Sequence, residues 1–328
     1  MKRNREGLLS WARAAVPLLV AIVAAAGAAQ AEPPKIRVGI GAAAEDPFWL
    51  LLIKPDIGTA YGKAYTTEYT RFPGADKRFQ AFEAGALDVS TASANAALFA
   101  AAEGVQFKII ASVARESPRG FYTKFMVMND SPIKSIKDVR GKIISINGFS
   151  GSGHLWVRSA LERNGLGEKD VTLVPLPFPA QGEAVKSGKI DVGMFPQPFA
   201  ELAKRDGLRT VFTSKDGAPF EEELILLIAK EEYLKENAAA VRGLLADTVR
   251  ALDFYAKHQR ESKEALIANK MVRLDPAIYI AMEEYYRDPE AKVDVEALER
   301  MQKNQVAAGF QKHSADLSKY IDLGYLPK

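Results

Sequence analysis

The chemistry-bearing residues of this chain gather most densely in one short loop, Gly148-Phe149-Ser150-Gly151-Ser152-Gly153, where glycines alternate with hydroxyls. Glycine lets backbone approach a ligand closely, serine offers a hydroxyl, and the helix-period run over 154–161 presents unpaired N–H groups at the positive end of its dipole. That combination suits an anion, and Ser150, Gly151, Ser152 and Gly153 are its candidate contacts. A nucleotide-phosphate loop of the form GxxxxGK[ST] would need Lys and then Ser or Thr where His154 and Leu155 stand. Plain N-capping of the helix by a serine is the other use of such a loop.

Three more loops are expected to meet this one. Thr91, Ser93 and Asn95 offer hydroxyls and an amide. Phe48, Trp49 and Phe195 could stack on a carbon skeleton or close a core, Trp49 more as core because Trp156 holds the equivalent place. Gln197, bracketed by Pro196 and Pro198, could donate its amide to an oxyanion. Arg119, with Arg115 beside it, could present a two-pronged guanidinium to a carboxylate or sulfonate. Asp88 and Asp191 look like paired catalytic carboxylates, but both stand at strand starts, and a turn or capping role away from the cleft is expected of them.

Whole classes of chemistry drop out. The chain has no cysteine, so it offers no disulfide, thiolate site, cysteine nucleophile or lipid-modified cysteine. Its three histidines, His154, His258 and His313, fall outside any zinc-binding spacing. No cofactor, metal or catalytic residue is expected.

The elements that would position these loops come as a duplication. Residues 81–89 (AFEAGALDV) and 184–192 (AVKSGKIDV) match without gaps 103 positions apart, and both run on to a closing glycine, Gly104 and Gly207. Each reads as a helix ended by glycine, a tight turn and a buried strand feeding another helix. A weaker match lies upstream. Lys35-Ile36 and Lys142-Ile143 open strands reaching Gly41 and Gly148, with Trp49 and Trp156 eight residues later. Two similar α/β lobes follow. Strand-like passages at 124–128 and 224–229 suggest that the chain crosses over and returns. The remainder, with amphipathic stretches over 241–255 and 293–308, is expected as a helical tail packed on lobe one, an independent helical domain being the alternative. Ligands of such sheets bind beyond the carboxyl ends of the strands, where loops lead into helices.

Lys2, Arg3 and Arg5, an apolar run and the small-residue site Ala29-Gln30-Ala31 read as a secretory leader cleaved after Ala31. The leader carries the whole net charge of +3, because residues 32–328 hold 40 basic and 40 acidic side chains. Such a balance draws nothing onto nucleic acid. The expected domain map is 1–31 leader, 32–124 first part of lobe one, 125–223 lobe two, and 224–328 second part of lobe one.

The chain resembles the type II periplasmic binding proteins of the nitrate, taurine and alkanesulfonate group. The resemblance rests on 81–89, on the segment 136–142 (IKDVRGK), on 161–166 (LERNGL) with Val171 after it, on 187–192 and on the tail 316–322 (DLSKYID). It implies two α/β lobes joined by two crossing strands. It also implies a periplasmic monomer that traps a small anion, such as a sulfonate, taurine, nitrate or aromatic acid, and delivers it to an inner-membrane ABC permease. A pyrimidine-precursor binding protein and an enzyme on the same scaffold are the alternatives. The enzymes of the group rely on a cysteine-rich motif that is missing here.

Overall fold

Ile36, Val38 and Ile40 alternate with less hydrophobic residues and are fully buried, which is what a strand with one face on a core requires. They belong to β1 (Lys35–Ile40), the first element of a computed structural model that describes residues 32–328. The expected leader, 1–31, lies outside the described residues.

Lobe one follows with α1 (Asp46–Ile53), β2 (Thr66–Arg71), α2 (Ala75–Glu83), β3 (Val89–Ser93), α3 (Ala94–Ala102) and β4 (Lys108–Glu116). Lobe two contains β5 (Lys124–Met128), β6 (Ile143–Ile146), α4 (Ser152–Arg163), β7 (Thr172–Pro175), α5 (Phe178–Lys186), β8 (Gly193–Phe195), α6 (Phe199–Arg205), β9 (Leu208–Thr213) and α7 (Ser214–Gly217). The chain then returns through β10 (Glu222–Ala229) to α8 (Glu231–Glu236), α9 (Ala238–Lys257), α10 (Gln259–Ala268), α11 (Pro276–Ala281) and α12 (Val295–Ala307).

The first sheet runs β2-β1-β3-β10-β4, with β10 antiparallel to both neighbours and β1 parallel to β2 and β3. The second contains β8-β5-β9, and the parallel pair β6-β7 joins it where Ile144 bridges Val192, giving β7-β6-β8-β5-β9. The two orders are the same. In each, the strand that enters after a crossing sits fourth and antiparallel, so the duplication in the sequence is a duplication of topology.

The matched segments explain why. Gly85 and Gly188 end α2 and α5 at φ of 77° and 69°, the left-handed geometry that closes a helix most cheaply with glycine. Asp88 accepts the Arg37 N–H at 2.8 Å, and Asp191 accepts the Ile143 N–H at 2.9 Å. Each aspartate thus pins the start of its strand, β3 or β8, to β1 or β6. Trp49 and Trp156, both 1 % exposed, anchor the first helix of each lobe.

The tail packs on lobe one. Asp247 of α9 accepts N–H groups from Thr59 at 2.8 Å and Tyr61 at 3.1 Å and the Tyr65 hydroxyl at 3.1 Å, tying α9 to the segment after α1. Helix α12 lies against α3 and β10, and Ile321 bridges Ile109 of β4. The tail is therefore not an independent helical domain. Among the described residues no helix is long and apolar enough to cross a membrane.

Candidate functional site

Between the lobes lies a cavity of about 70 Å³. The loop after β1 contributes Ala42, Ala43, Ala44 and Glu45, and the end of β3 contributes Ser93. From lobe two come Asn147, Gly148, Gly151, Ser152 and Gly153 after β6, and Met194 and Pro196 at β8. All four loops named from the duplication thus open on one space. Ala75 and Arg78 of α2, Thr123, Trp156, Phe178, and Leu224 and Ile225 of β10 complete its wall.

Arg78 is the cation of the site. It is 5 % exposed, and Nη1 donates to Glu45 Oε1 at 3.2 Å, the single side-chain hydrogen bond it makes among the described residues. A guanidinium has five N–H donors, so four are left without a protein partner among the described residues at a residue that lines the cavity. Glu45, fully buried, is otherwise occupied: it accepts from the Gly41 N–H at 2.9 Å, Trp49 Nε1 at 3.2 Å and Thr91 Oγ1 at 2.8 Å. The carboxylate therefore orients Arg78 while its own oxygens are spent on the lobe. Burial pulls the Arg78 pKa down, and Glu45 opposes that shift. Gly41 makes the pairing possible, since a β-carbon there would lie 1.9 Å from Arg78 Nη1.

The lobes touch across the cavity. Ser93 Oγ and Ser152 Oγ are 2.8 Å apart, Asn95 Nδ2 donates to Ser152 Oγ at 3.1 Å, and the Ser152 N–H donates to Ser93 Oγ at 3.3 Å. Ser152 opens α4, whose N-cap Gly151 supplies no side-chain acceptor, and the first-turn N–H groups of Gly153 and His154 have no intrahelical partner. Gly153 lines the cavity itself; a side chain there would meet Met194 Sδ at 2.4 Å.

A layer of carboxyls lies behind the wall. Glu222 Oε2 accepts Trp156 Nε1 at 2.5 Å, while Oε1 lies near Asn95 without a hydrogen bond. Burial, opposed by that indole bond and helped by Glu116 opposite it in the β4–β10 register, pushes Glu222 up to about 8. Glu116 accepts the Thr123 N–H at 3.0 Å, Thr123 Oγ1 at 2.6 Å and Ser214 Oγ at 2.8 Å, and burial raises it to about 7. Glu222 is therefore mostly neutral near pH 7, which leaves Arg78 and Glu45 as the ionic pair at the wall.

Several residues singled out from the sequence lie elsewhere. Phe48 and Trp49 are core residues of α1, each 1 % exposed, and Phe195, also 1 % exposed, is turned into the core of lobe two. Thr91 does not line the cavity and acts through Glu45. Asn95 is fully buried behind Ser152 and accepts Gln305 Nε2 at 2.7 Å. Ser150 takes a left-handed φ of 59°, donates its N–H to His154 Nδ1 at 3.2 Å and stays off the wall. Gln197 is 1 % exposed, with its N–H on Tyr285 Oη at 3.2 Å and its amide on Glu201 at 3.4 Å. Arg119 is a correction of larger scale. Its side chain is 54 % exposed, pairs with Glu221 at 2.7 Å and stacks on Tyr286, because the surface supplies both partners it needs. Arg115 is likewise spent on Glu223 at 2.8 Å.

The residue that sequence reasoning missed is Arg78. The run Asp76-Lys77-Arg78 reads as a solvated helix face, but α2 follows a strand of the same sheet, so the rule that selected four loops also points at its first turn.

Two α/β lobes of matching topology, crossed twice by the chain and closing on a cavity between them, define the periplasmic-binding-protein fold. The family model described as NMT1/THI5 like matches residues 71–262, and the chain belongs to that family. A protein of Escherichia coli (strain K12) named for binding aliphatic sulfonates is 26 % identical over 309 residues, 91 % of this chain and 88 % of its own. The alkanesulfonate-binding protein SsuA from Xanthomonas axonopodis pv. citri, solved bound to MOPS, superposes with a TM-score of 0.71 at 18 % identity, covering 89 % of this chain and 99 % of that one. The periplasmic aliphatic sulphonate binding protein SsuA from Escherichia coli gives 0.69 at 19 % identity, over 88 % and 92 %.

Proposed function

We propose that this chain is the extracytoplasmic binding protein of an ABC importer, a monomer that captures a small organic anion of the sulfonate type between its lobes. The observation that carries the reading is Arg78, a nearly buried guanidinium that lines an interlobe cavity and whose single side-chain hydrogen bond among the described residues goes to Glu45. The first turn of α4 adds N–H groups aimed at the same space. The E. coli relative named for aliphatic sulfonates, which aligns with 91 % of the chain, supports the ligand class.

In this reading the leader is removed after Ala31, and lobe one (32–124 and 224–328) hinges against lobe two (125–223). The ligand favours the closed state because only there do both walls reach it. Ser93, Asn95 and Ser152 hold that state, and the closed form docks on the inner-membrane permease. No bond in the ligand is broken.

Isothermal calorimetry on residues 32–328 with methanesulfonate, taurine, nitrate and benzoate tests the proposal. Losing two charge-assisted hydrogen bonds costs about 3–6 kcal/mol, so Arg78→Gln should weaken the best binder by roughly a hundredfold or more. An anion bound equally well by wild type and Arg78→Gln would overturn it.

A further inference from the structure

A second space of about 740 Å³ runs beside β2, and its walls again come from both lobes. Lobe one supplies Trp49, Tyr69 and Phe72, and lobe two supplies Phe199 and Leu202. It adjoins the inner cavity: Ala42 lines both, Phe178 faces one where Pro179 faces the other, and Pro196 and Pro198 divide in the same way.

The two volumes differ in what they can hold. At roughly 10–15 Å³ per water-sized place, the inner cavity has room for about five to seven atoms, the size of a sulfonate head and its first carbon. The outer space falls in the range of about 300–1,000 Å³ that takes whole organic ligands. Its lining is apolar and aromatic, and Tyr69, on the edge strand, is 41 % exposed. The charged residues that line it, Arg71, Lys270 and Arg273, are all basic. Arg71 donates Nε to the Gly41 carbonyl at 3.2 Å, is held by the Met271 carbonyl, and lies 4.8 Å over the Trp49 ring as a flat, fixed platform. Arg273 stands beside it, exposed, with no ion pair among the described residues. Across the lobes, Arg205 meets Asp275 at 3.4 Å, so the groove takes this shape where the lobes come together.

We propose that this groove is a second subsite, which takes the apolar or aromatic body of the same anion whose head sits at Arg78. The proposal rests on the anion reading of the inner cavity and adds a size class: an amphipathic organic anion too long for the inner cavity alone. The wide groove excludes nothing small but rewards apolar area, and its two guanidinium groups disfavour a cationic tail.

The test is a calorimetric series on residues 32–328 with methanesulfonate, n-octanesulfonate and 2-naphthalenesulfonate. Each buried methylene is worth roughly fourfold in affinity, so both large probes should bind at least tenfold more tightly than methanesulfonate. The double substitution Tyr69→Ala/Phe72→Ala should remove about tenfold from the large probes and less than twofold from methanesulfonate, and its thermal midpoint controls for folding. Equal affinities along the series, or equal losses for all three probes in the double variant, would overturn the subsite and leave the inner cavity standing, whereas octanesulfonate binding that survives Arg78→Gln would overturn both. Failure of all three probes to bind wild type would overturn both readings.

Discussion

Glu222→Gln should stabilise this protein at alkaline pH and leave it unchanged in mild acid. Glu222 is 1 % exposed and faces Glu116 across the β4–β10 register, and its Oε1 makes no hydrogen bond. Burial raises its pKa from 4.5 to about 8, so the folded state keeps the proton over a range in which the unfolded chain has lost it. The sign follows from proton counts. Between about pH 4.5 and 8 the folded state binds more protons, stability falls as pH rises, and above 8 the loss is complete and constant. At 1.36 kcal/mol per pH unit the ceiling is roughly 5 kcal/mol, and relaxation of the strands brings the expectation to about 2–3 kcal/mol. Glutamine keeps an acceptor for Trp156 Nε1 and never ionises. Urea titrations at pH 5, 7 and 9, followed by tryptophan fluorescence, should show the variant level with wild type at pH 5 and most of the gain in place by pH 9. A variant no more stable than wild type at pH 9, or a gain of equal size at pH 5, would refute the account.

Two further expectations separate roles that adjoining residues could share. Ser152→Ala removes the hydroxyl's hydrogen bonds with Ser93 and Asn95 while keeping the backbone N–H on Ser93, and should weaken ligand binding about tenfold, with a more open solution average by small-angle scattering, whereas Ser150→Ala should change affinity less than twofold. Asp88→Ala and Asp191→Ala each orphan a strand N–H and should lower unfolding free energy by about 1–3 kcal/mol in denaturant titrations, with affinity unchanged within twofold.

The fold was legible in the sequence because its signals are local and repeated. Gly85 and Gly188 close helices, Asp88 and Asp191 start strands, and these recur at one offset, so two lobes could be inferred without knowing what touches what. The four cleft loops followed from the same repeat. The individual contacts did not, because burial decides them. Phe195 and Gln197 occupy a cleft loop but point inward, and Arg119 finds Glu221 at a separation of 102 residues that no local pattern encodes. Arg78 was hidden for the opposite reason. Its neighbours Asp76 and Lys77 are exposed, and only Glu45, 33 residues earlier, turns the third charge of that run into the cavity.

The place of β10 has a consequence for how the molecule is assembled. Lobe two draws all five strands of its sheet from 124–213, so it can complete itself as soon as that stretch exists. Lobe one cannot. Its β4 reaches the rest of the sheet only through β10, whose Leu226, Leu227 and Ile228 are fully buried between β3 and β4. Residues 35–116 must therefore wait for residues 222–229 before their sheet closes. A chain made from its N-terminus thus finishes its second lobe before its first, and a truncation anywhere before residue 222 leaves lobe one with an unfilled slot where its fourth strand belongs.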